Sequence, residues 1–235
     1  MFAVIVATVL AHGFSLAPLA RRFGLSVAAD AERLAVVGAS PWSSDLALAL
    51  HRAGVPVLLV DTYPGALRAA RAGGVPTLQA ELLSREAEEG LADQPPDRLL
   101  AATRDELYNA LVCTRLAPEL GRERVYQLAP SADHLLHAET GVSRDSRGKV
   151  LANGFDFEAL AGRHAAGWRF VIELAGSEVR DARCLLVIRS DGSLDFPSPD
   201  HEMARTADGD RLLLPAPSDG ARHGDVREPV MAGTA

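Results

Sequence analysis

Gly38 and Asp61 have the residue types and the spacing of a nucleotide-binding turn. Gly38 directly follows a short apolar run at residues 34–37, where a glycine allows the backbone to turn tightly. Asp61 ends a second apolar run about 20 residues further on, where a carboxylate can accept hydrogen bonds from ribose hydroxyl groups. These two residues indicate non-covalent binding of an adenine nucleotide or NAD(H), and their structural alternative is a tight turn and a solvated strand end.

Ser40 departs from the glycine fingerprint of dinucleotide-binding proteins, G-x-G-x-x-G. Ser40 and Ser43 stand at the second and third glycine positions, and Pro41 has no N–H to donate. A serine Cβ takes up room that a pyrophosphate needs. We therefore expect either a mononucleotide at the N-terminus of the helix that begins near Pro41, or an empty site.

Thr103 and Asp105 follow a later apolar run, at residues 98–102. The carboxyl ends of parallel strands meet at the ligand-binding edge of a sheet, so these residues are expected near the glycine turn. Asp105 and Asn109 are one helical turn apart, and Asp105 has a structural alternative as a helix cap. The candidate cofactor-binding residues are Gly38, Ser40, Asp61, Thr103 and Asp105.

The sequence shows no catalytic set and no metal site. Tyr63, Tyr108 and Tyr126 have no lysine four residues on, so the Tyr-x-x-x-Lys pair of short-chain reductases is missing. His134 and His137 could share a helix face, but no cysteine or well-placed carboxylate completes a zinc site. A formal net charge of −7 argues against a nucleic-acid surface. We expect a protein that is not an enzyme and binds neither metal nor nucleic acid.

The elements that position these residues alternate between strand and helix. Strands are predicted at residues 34–37, 57–60, 76–80, 98–102 and 125–128, with helices at 41–53, 64–72, 84–91 and 105–120. The strands are apolar throughout, as expected where helices cover both faces of a sheet. The pattern predicts an α/β fold, with a doubly wound parallel Rossmann-like sheet over residues 31–130.

The pattern changes after residue 130. Residues 131–150 are polar and are predicted to form a linker. A helix at 157–164 and strands at 168–174, 184–189, 193–196 and 211–214 predict a second, smaller, mostly-β domain over residues 151–217. Residues 218–235 carry little apolar content and are expected to form a disordered tail.

The first 20 residues contain no Lys, Arg, Asp or Glu, and Arg21 and Arg22 follow directly. A bilayer span needs about 20 apolar residues, and positive charge on the downstream flank leaves the rest of the chain in the cytosol. We expect an N-terminal apolar helix. Residues 1–25 are then the end of a transmembrane helix and its basic exit, at the cell membrane, with residues after Arg22 on the cytoplasmic side. The alternative is a helix buried in a soluble core.

Several segments carry a family resemblance. They are VIVATVLAHGFSLAPLARRFGL (4–25), VVGASPW (36–42), LLVDT (58–62), RDELYNALVCTRLAPELG (104–121), RVYQL (124–128) and GSLDF through DGDRLLLPAP (192–217). In this order they resemble the cytosolic C-terminal region of a bacterial cation/proton antiporter of the sodium/proton exchanger type. The resemblance implies a TrkA-N-like domain, also called an RCK domain, with a β-rich appendage, attached to the last transmembrane helix.

The resemblance implies a regulatory, nucleotide-sensing module of a membrane antiporter. Its partners would be the transmembrane transport domain and a second copy of the chain in a homodimer, and this chain would be a fragment lacking most of the transport domain. Two other functions remain open. One is a soluble NAD-dependent oxidoreductase, and the other is a degenerate Rossmann-like domain used only for protein–protein contacts.

Overall fold

The computed structural model describes residues 31–131, 148–152, 155–175, 184–199 and 206–218 of the 235 residues. The predicted N-terminal apolar helix, most of the predicted linker and the predicted tail from residue 219 lie outside the described residues. Within the described part, no helix is both long enough and apolar enough to cross a bilayer. All described residues from Glu32 onward belong to one compact unit.

The larger sheet has six parallel strands in the order β3-β2-β1-β4-β5-β6. Its strands are β1 Leu34–Val37, β2 Val57–Asp61, β3 Thr77–Gln79, β4 Arg98–Ala101, β5 Val125–Gln127 and β6 Lys149–Val150. Val36 lies opposite Leu59 of β2 on one side and Leu100 of β4 on the other, so β1 is central. This order reverses direction at β1, and such a switch point is where open α/β sheets bind ligands.

Helices cover both faces of the larger sheet. They are α1 Pro41–Arg52, α2 Arg68–Ala72, α3 Arg85–Asp93, α4 Glu106–Leu120 and, after the sheet, α5 Phe157–Ala165, with a short 3₁₀ helix at Arg122–Arg124. Leu34 and Val36 are buried in one apolar cluster with residues of α1, and Ala35 and Val37 in another with residues of α3 and α4. Alternate residues of β1 therefore face opposite helical layers, and the predicted doubly wound fold is confirmed.

Strand β6 is a finding that the sequence analysis does not predict, because residues 149–150 end the segment assigned to the linker. Lys149 lies opposite Tyr126, and Val150 lies opposite Gln127. The preceding Gly148 is buried beside α4, where an added Cβ would lie 2.5 Å from the sulfur of Cys113. The strand is therefore set by its fit against β5 and α4.

The smaller sheet is antiparallel, with four strands in the order β7-β10-β8-β9. Its strands are β7 Trp168–Leu174, β8 Leu186–Ile188, β9 Leu194–Asp195 and β10 Arg211–Pro217. The predicted small, mostly-β part of the chain is thereby confirmed. Helix α5 precedes it and begins after Asp156, whose carboxylate accepts a hydrogen bond from the Ala159 N–H at 2.7 Å.

The smaller sheet packs against the larger one through α1. The N–H of Phe170 in β7 donates to the Asp45 carboxylate at 2.9 Å, and Arg211 donates to the carbonyl oxygen of Ala53 at 2.8 Å. One apolar cluster contains buried residues of both sheets, including Val36 of β1 and Leu213 of β10. The two sheets consequently share a core.

Candidate functional site

A cleft of about 230 Å³ lies at the carboxyl edge of the larger sheet, between the ends of β1, β2 and β4. Its lining includes three of the five predicted site residues, Gly38, Asp61 and Thr103. The sheet brings them together because all three follow or end strands that run in the same direction. Ser40 and Asp105 do not line this cleft.

Gly38 forms the tight part of the turn after β1. Its φ is 102°, a conformation that favours glycine, and its N–H donates to the Val60 carbonyl oxygen at 2.8 Å. An added Cβ would lie 2.7 Å from Thr103 Cγ2 and 2.9 Å from Thr103 N. The absence of a side chain at Gly38 therefore lets the loop after β4 approach the turn after β1.

Asp61 connects two loops at the edge of the cleft. One carboxylate oxygen accepts the Ala39 N–H at 2.7 Å, and the other accepts the Tyr63 N–H at 2.7 Å. A carboxylate has about four acceptor positions, so a ligand hydroxyl can still bond to either oxygen. Asp61 thus has a structural role that the sequence interpretation does not assign to it, in addition to the predicted one.

Ser40 is the N-cap of α1. Its hydroxyl accepts the Ser43 N–H at 3.1 Å, and the Ser43 hydroxyl accepts the Ser40 N–H at 2.8 Å. The Ser43 hydroxyl also donates to the Gly38 carbonyl oxygen at 2.8 Å. The sequence predicts N–H groups here that are free for a phosphate. The structure corrects this in part, because the two serines form a capping box that uses the N–H groups of Ser40 and Ser43 and leaves the Trp42 N–H without an acceptor among the described residues.

Thr103 is held in place by Asn109, which is 2% exposed. The Asn109 side-chain oxygen accepts the Thr103 hydroxyl at 2.6 Å and the Thr103 N–H at 3.0 Å, and its NH₂ group donates to the Thr103 carbonyl oxygen at 2.9 Å. Asn109 therefore fixes the wall of the cleft that faces Gly38.

Asp105 is the N-cap of α4. One of its carboxylate oxygens accepts the N–H groups of Leu107 and Tyr108, both at 3.0 Å. Its position close to the cleft follows from this cap, because α4 begins at the same edge of the sheet. The structure thus gives Asp105 the capping geometry that the sequence offers as its structural alternative.

Glu81 and Tyr108 are two cleft residues that the sequence analysis missed. The Tyr108 hydroxyl donates to the Glu81 carboxylate at 2.7 Å, joining the loop after β3 to α4. Burial and this hydrogen bond raise the pKa of the Tyr108 hydroxyl, so it keeps its proton at neutral pH. The signal that could have found Glu81 is its place just after the third strand, which ends at the same edge.

The charged side chains in the described lining of the cleft are Asp61 and Glu81, and both are acidic. Arg104 is a neighbour in the chain, but its guanidinium pairs with Glu158 of α5 at 2.7 Å. Among the residues that the structure describes, no group of acidic, histidine or cysteine side chains could hold a metal ion. The cleft is therefore acidic and rich in hydrogen-bond acceptors.

Two further cavities lie near the larger sheet. One of about 160 Å³ shares Thr103 with the cleft and is bounded by Phe157 and Glu158 of α5. The other, of about 440 Å³, is mostly apolar and lies between α3 and α4, with leucines such as Leu91 and Leu116 in its wall. None of the five predicted site residues lines this larger cavity.

No protein-family model matches the chain, and no curated protein matches it. Among solved structures, it is similar to the GsuK channel bound to NAD, with 12% identity and a TM-score of 0.41 over 80% of this chain and 36% of that one. It is also similar to the GsuK RCK domain, with 17% identity and a TM-score of 0.37 over 80% of this chain and 44% of that one. A third similar structure is alcohol dehydrogenase TADH from Thermus sp. ATN1, with 22% identity and a TM-score of 0.31 over 46% of this chain and 34% of that one.

The chain spans less than half the length of each of these three structures. No residue role is carried over from these proteins. The six-stranded parallel sheet, its helical layers and the cleft at its switch point define the chain as a Rossmann-like α/β protein.

Proposed function

We propose that this chain is a nucleotide-sensing module whose cleft binds an adenine nucleotide or NAD(H). The observation that carries the proposal is the position of Asp61, whose carboxylate lies beside Gly38 in a cleft at the switch point of the sheet. A carboxylate there can accept hydrogen bonds from the ribose hydroxyl groups. Val37, Val60 and Leu82 give the same cleft apolar walls that suit a base.

The polar groups of the cleft favour sensing over hydride transfer. Tyr108 is the tyrosine in the described lining, and its raised pKa and its hydrogen bond to the Glu81 carboxylate make its hydroxyl a weak proton donor. Reductases of the short-chain type use a tyrosine beside a lysine, and Tyr108 has no lysine four residues on. We therefore propose a module without catalysis, and sustained oxidation of NADH with a simple carbonyl substrate would contradict this.

We further propose that the regulated protein is a bacterial cation/proton antiporter and that the module works as a homodimer on the cytoplasmic side of the membrane. The support is the resemblance of six sequence segments, from residue 4 to residue 217. A bound nucleotide would bias the transporter only if it binds two conformations with unequal affinity. The test is fractionation of the full chain, which should sediment with membranes. A chain that stays monodisperse in detergent-free buffer would contradict it.

A thermal-shift experiment on the full chain tests nucleotide binding, with AMP, ATP, NAD, NADH and NADP at millimolar concentration. We expect stabilisation by at least one of them, with NADP weakest because Asp61 repels a 2′-phosphate. Asp61→Asn should reduce the shift. The matched control is Asp97→Asn, because Asp97 also accepts a backbone N–H, from Arg33 at 2.8 Å, at the opposite edge of the sheet.

A second candidate function is protein–protein contact without any nucleotide. It is favoured by the capping box of Ser40 and Ser43, which uses N–H groups that a phosphate would otherwise bind. If none of the five compounds shifts the melting temperature, this function replaces the first. An NADP shift larger than the NAD shift would instead contradict the role proposed for Asp61.

A further inference from the structure

The bonding of the glycine turn and the charge of the cleft together indicate what kind of ligand can bind. We infer that the cleft takes a nucleoside without phosphate, of the adenosine class, held through its hydroxyl groups and its base. This inference rests on the proposed function and narrows it, because it excludes the phosphate groups as the source of affinity.

The first observation is that the turn has few N–H groups left for an anion. The N–H groups of Gly38, Ala39, Ser40 and Ser43 donate to oxygen atoms of the chain over 2.7 to 3.1 Å. Pro41 has no N–H. Phosphate sites at helix N-termini depend on unpaired N–H groups. In the first turn of α1 the Trp42 N–H has no acceptor among the described residues, so a phosphate could engage this one donor and would have to break the capping box to engage more.

The second observation is the sign of the charge. Asp61 and Glu81 are the charged side chains in the described lining, and no Lys, Arg or His is among them. Like charges a few ångströms apart repel, and at the surface of a protein this repulsion weakens binding of an anion by about tenfold or more. A phosphate group in the cleft would therefore reduce the affinity of the nucleoside to which it is attached.

The third observation is the fit of a neutral nucleoside. Its hydroxyl and amine groups are donors, and the carboxylates of Asp61 and Glu81 are acceptors. The 230 Å³ of the cleft is below the range of about 300–1,000 Å³ that is typical of ligand pockets. Thr103 stands against Gly38 on the wall towards the neighbouring cavity. Thr103 is the residue that the linings of the two cavities share, so a dinucleotide would have to pass this side chain to occupy both.

Isothermal titration calorimetry of the full chain with adenosine, AMP, ATP and NAD tests the inference. We expect adenosine to bind best, AMP to bind about tenfold more weakly, and ATP more weakly still. If AMP, ATP or NAD binds more tightly than adenosine, the inference is overturned while the proposed nucleotide-sensing function stands. If none of the four compounds binds, both are overturned.

A charge-neutralising variant separates repulsion from a simple lack of space. Glu81→Gln keeps the length of the side chain and an oxygen that can accept the Tyr108 hydroxyl, but it removes one negative charge from the cleft. We expect this variant to reduce the ratio of the adenosine affinity to the AMP affinity about fivefold. The control is Glu89→Gln on α3, an exposed residue paired with Arg85 outside the cleft. If the ratio of the adenosine affinity to the AMP affinity is the same in Glu81→Gln as in the unchanged chain, the electrostatic part of the inference is contradicted.

Discussion

Gly38 lies against Thr103 at the edge of the cleft, and its replacement tests that geometry. Its φ is 102°, and an added Cβ would lie 2.7 Å from Thr103 Cγ2. We expect Gly38→Ala to lower the free energy of unfolding by about 2–4 kcal/mol, because a positive φ and an overpacked contact both cost energy. Urea denaturation measures the loss.

Gly54 provides the control for this prediction. Its φ is 80°, but an added Cβ would have no heavy atom within 4 Å. Gly54→Ala should therefore lose only the conformational part, about 1–2 kcal/mol. Equal losses at the two glycines would show that Thr103 does not stand against the turn.

Asp61 has a structural role that can be measured without a ligand. Asn can accept a hydrogen bond through one side-chain atom, so Asp61→Asn keeps an acceptor for only one of the two N–H groups that the carboxylate binds. We expect a loss of about 1–2 kcal/mol in the free energy of unfolding. Asp97→Asn, with its single backbone N–H, should lose less. A stability of Asp61→Asn equal to that of the unchanged chain would contradict the bridging role.

At the scale of residues, the sequence predicts those positions whose location follows from strand ends alone. Gly38, Asp61 and Thr103 belong to this group, since parallel strands bring their carboxyl ends to one edge. The sequence places Ser40 correctly at the start of α1, but the direction of its hydroxyl group depends on the hydrogen bonds that it makes with Ser43. The role of Tyr108 could not be predicted, because its hydrogen bond to Glu81 depends on the packing of α4 against the sheet, and the local sequence does not determine that packing.

At the scale of elements, Asp210 holds the turn that leads into β10. It is 2% exposed, and its carboxylate accepts hydrogen bonds from Arg189 and from the N–H groups of Ser190 and Ala207. Burial acts to raise the pKa of Asp210, but these hydrogen bonds outweigh burial and hold it below the ordinary value of 3.8. The ionised carboxylate therefore stabilises the fold at neutral pH, and this contribution is lost as the pH falls through the lowered pKa.

Asp210→Asn should lower the free energy of unfolding by about 3 kcal/mol at neutral pH, because it leaves Arg189 without one of its partners in a buried network. The difference between the variant and the unchanged chain should shrink as the solution is made more acidic than the unfolded pKa of Asp, about 3.9. Urea denaturation over a range of pH measures it. A difference that does not depend on pH would contradict the assigned ionisation.

Most elements could be predicted from the sequence because each strand is a compact apolar run and each helix follows a turn residue. Strand β6 could not, since Lys149 and Val150 form no such run, and pairing with β5 determines their conformation. The start of α2 was also predicted too early, at residue 64. Turn bonds from Ala66 to Tyr63 and from Arg68 to Gly65 delay the helix to Arg68.

At the scale of the whole molecule, the shared core predicts that the two sheets unfold together. The chain has two tryptophans, and one reports on each sheet. Trp42 lies on α1, 1% exposed and edge-to-face with Phe157, and Trp168 begins β7. In Trp42→Phe and in Trp168→Phe, the remaining fluorescence signal and far-ultraviolet circular dichroism should report the same urea midpoint. Separate midpoints within either variant would show two independent folding units.

The most direct test of the central claim is where a nucleoside binds, and amide chemical shifts from NMR show this. Adenosine added to the isotope-labelled full chain should shift the amide signals of Gly38, Thr62 and Thr103, which line the cleft. Signals of Leu91 and Leu116, in the apolar cavity between α3 and α4, should not move. Shifts confined to that cavity, or no shifts with either adenosine or AMP at millimolar concentration, would contradict the assignment of the cleft as the ligand site.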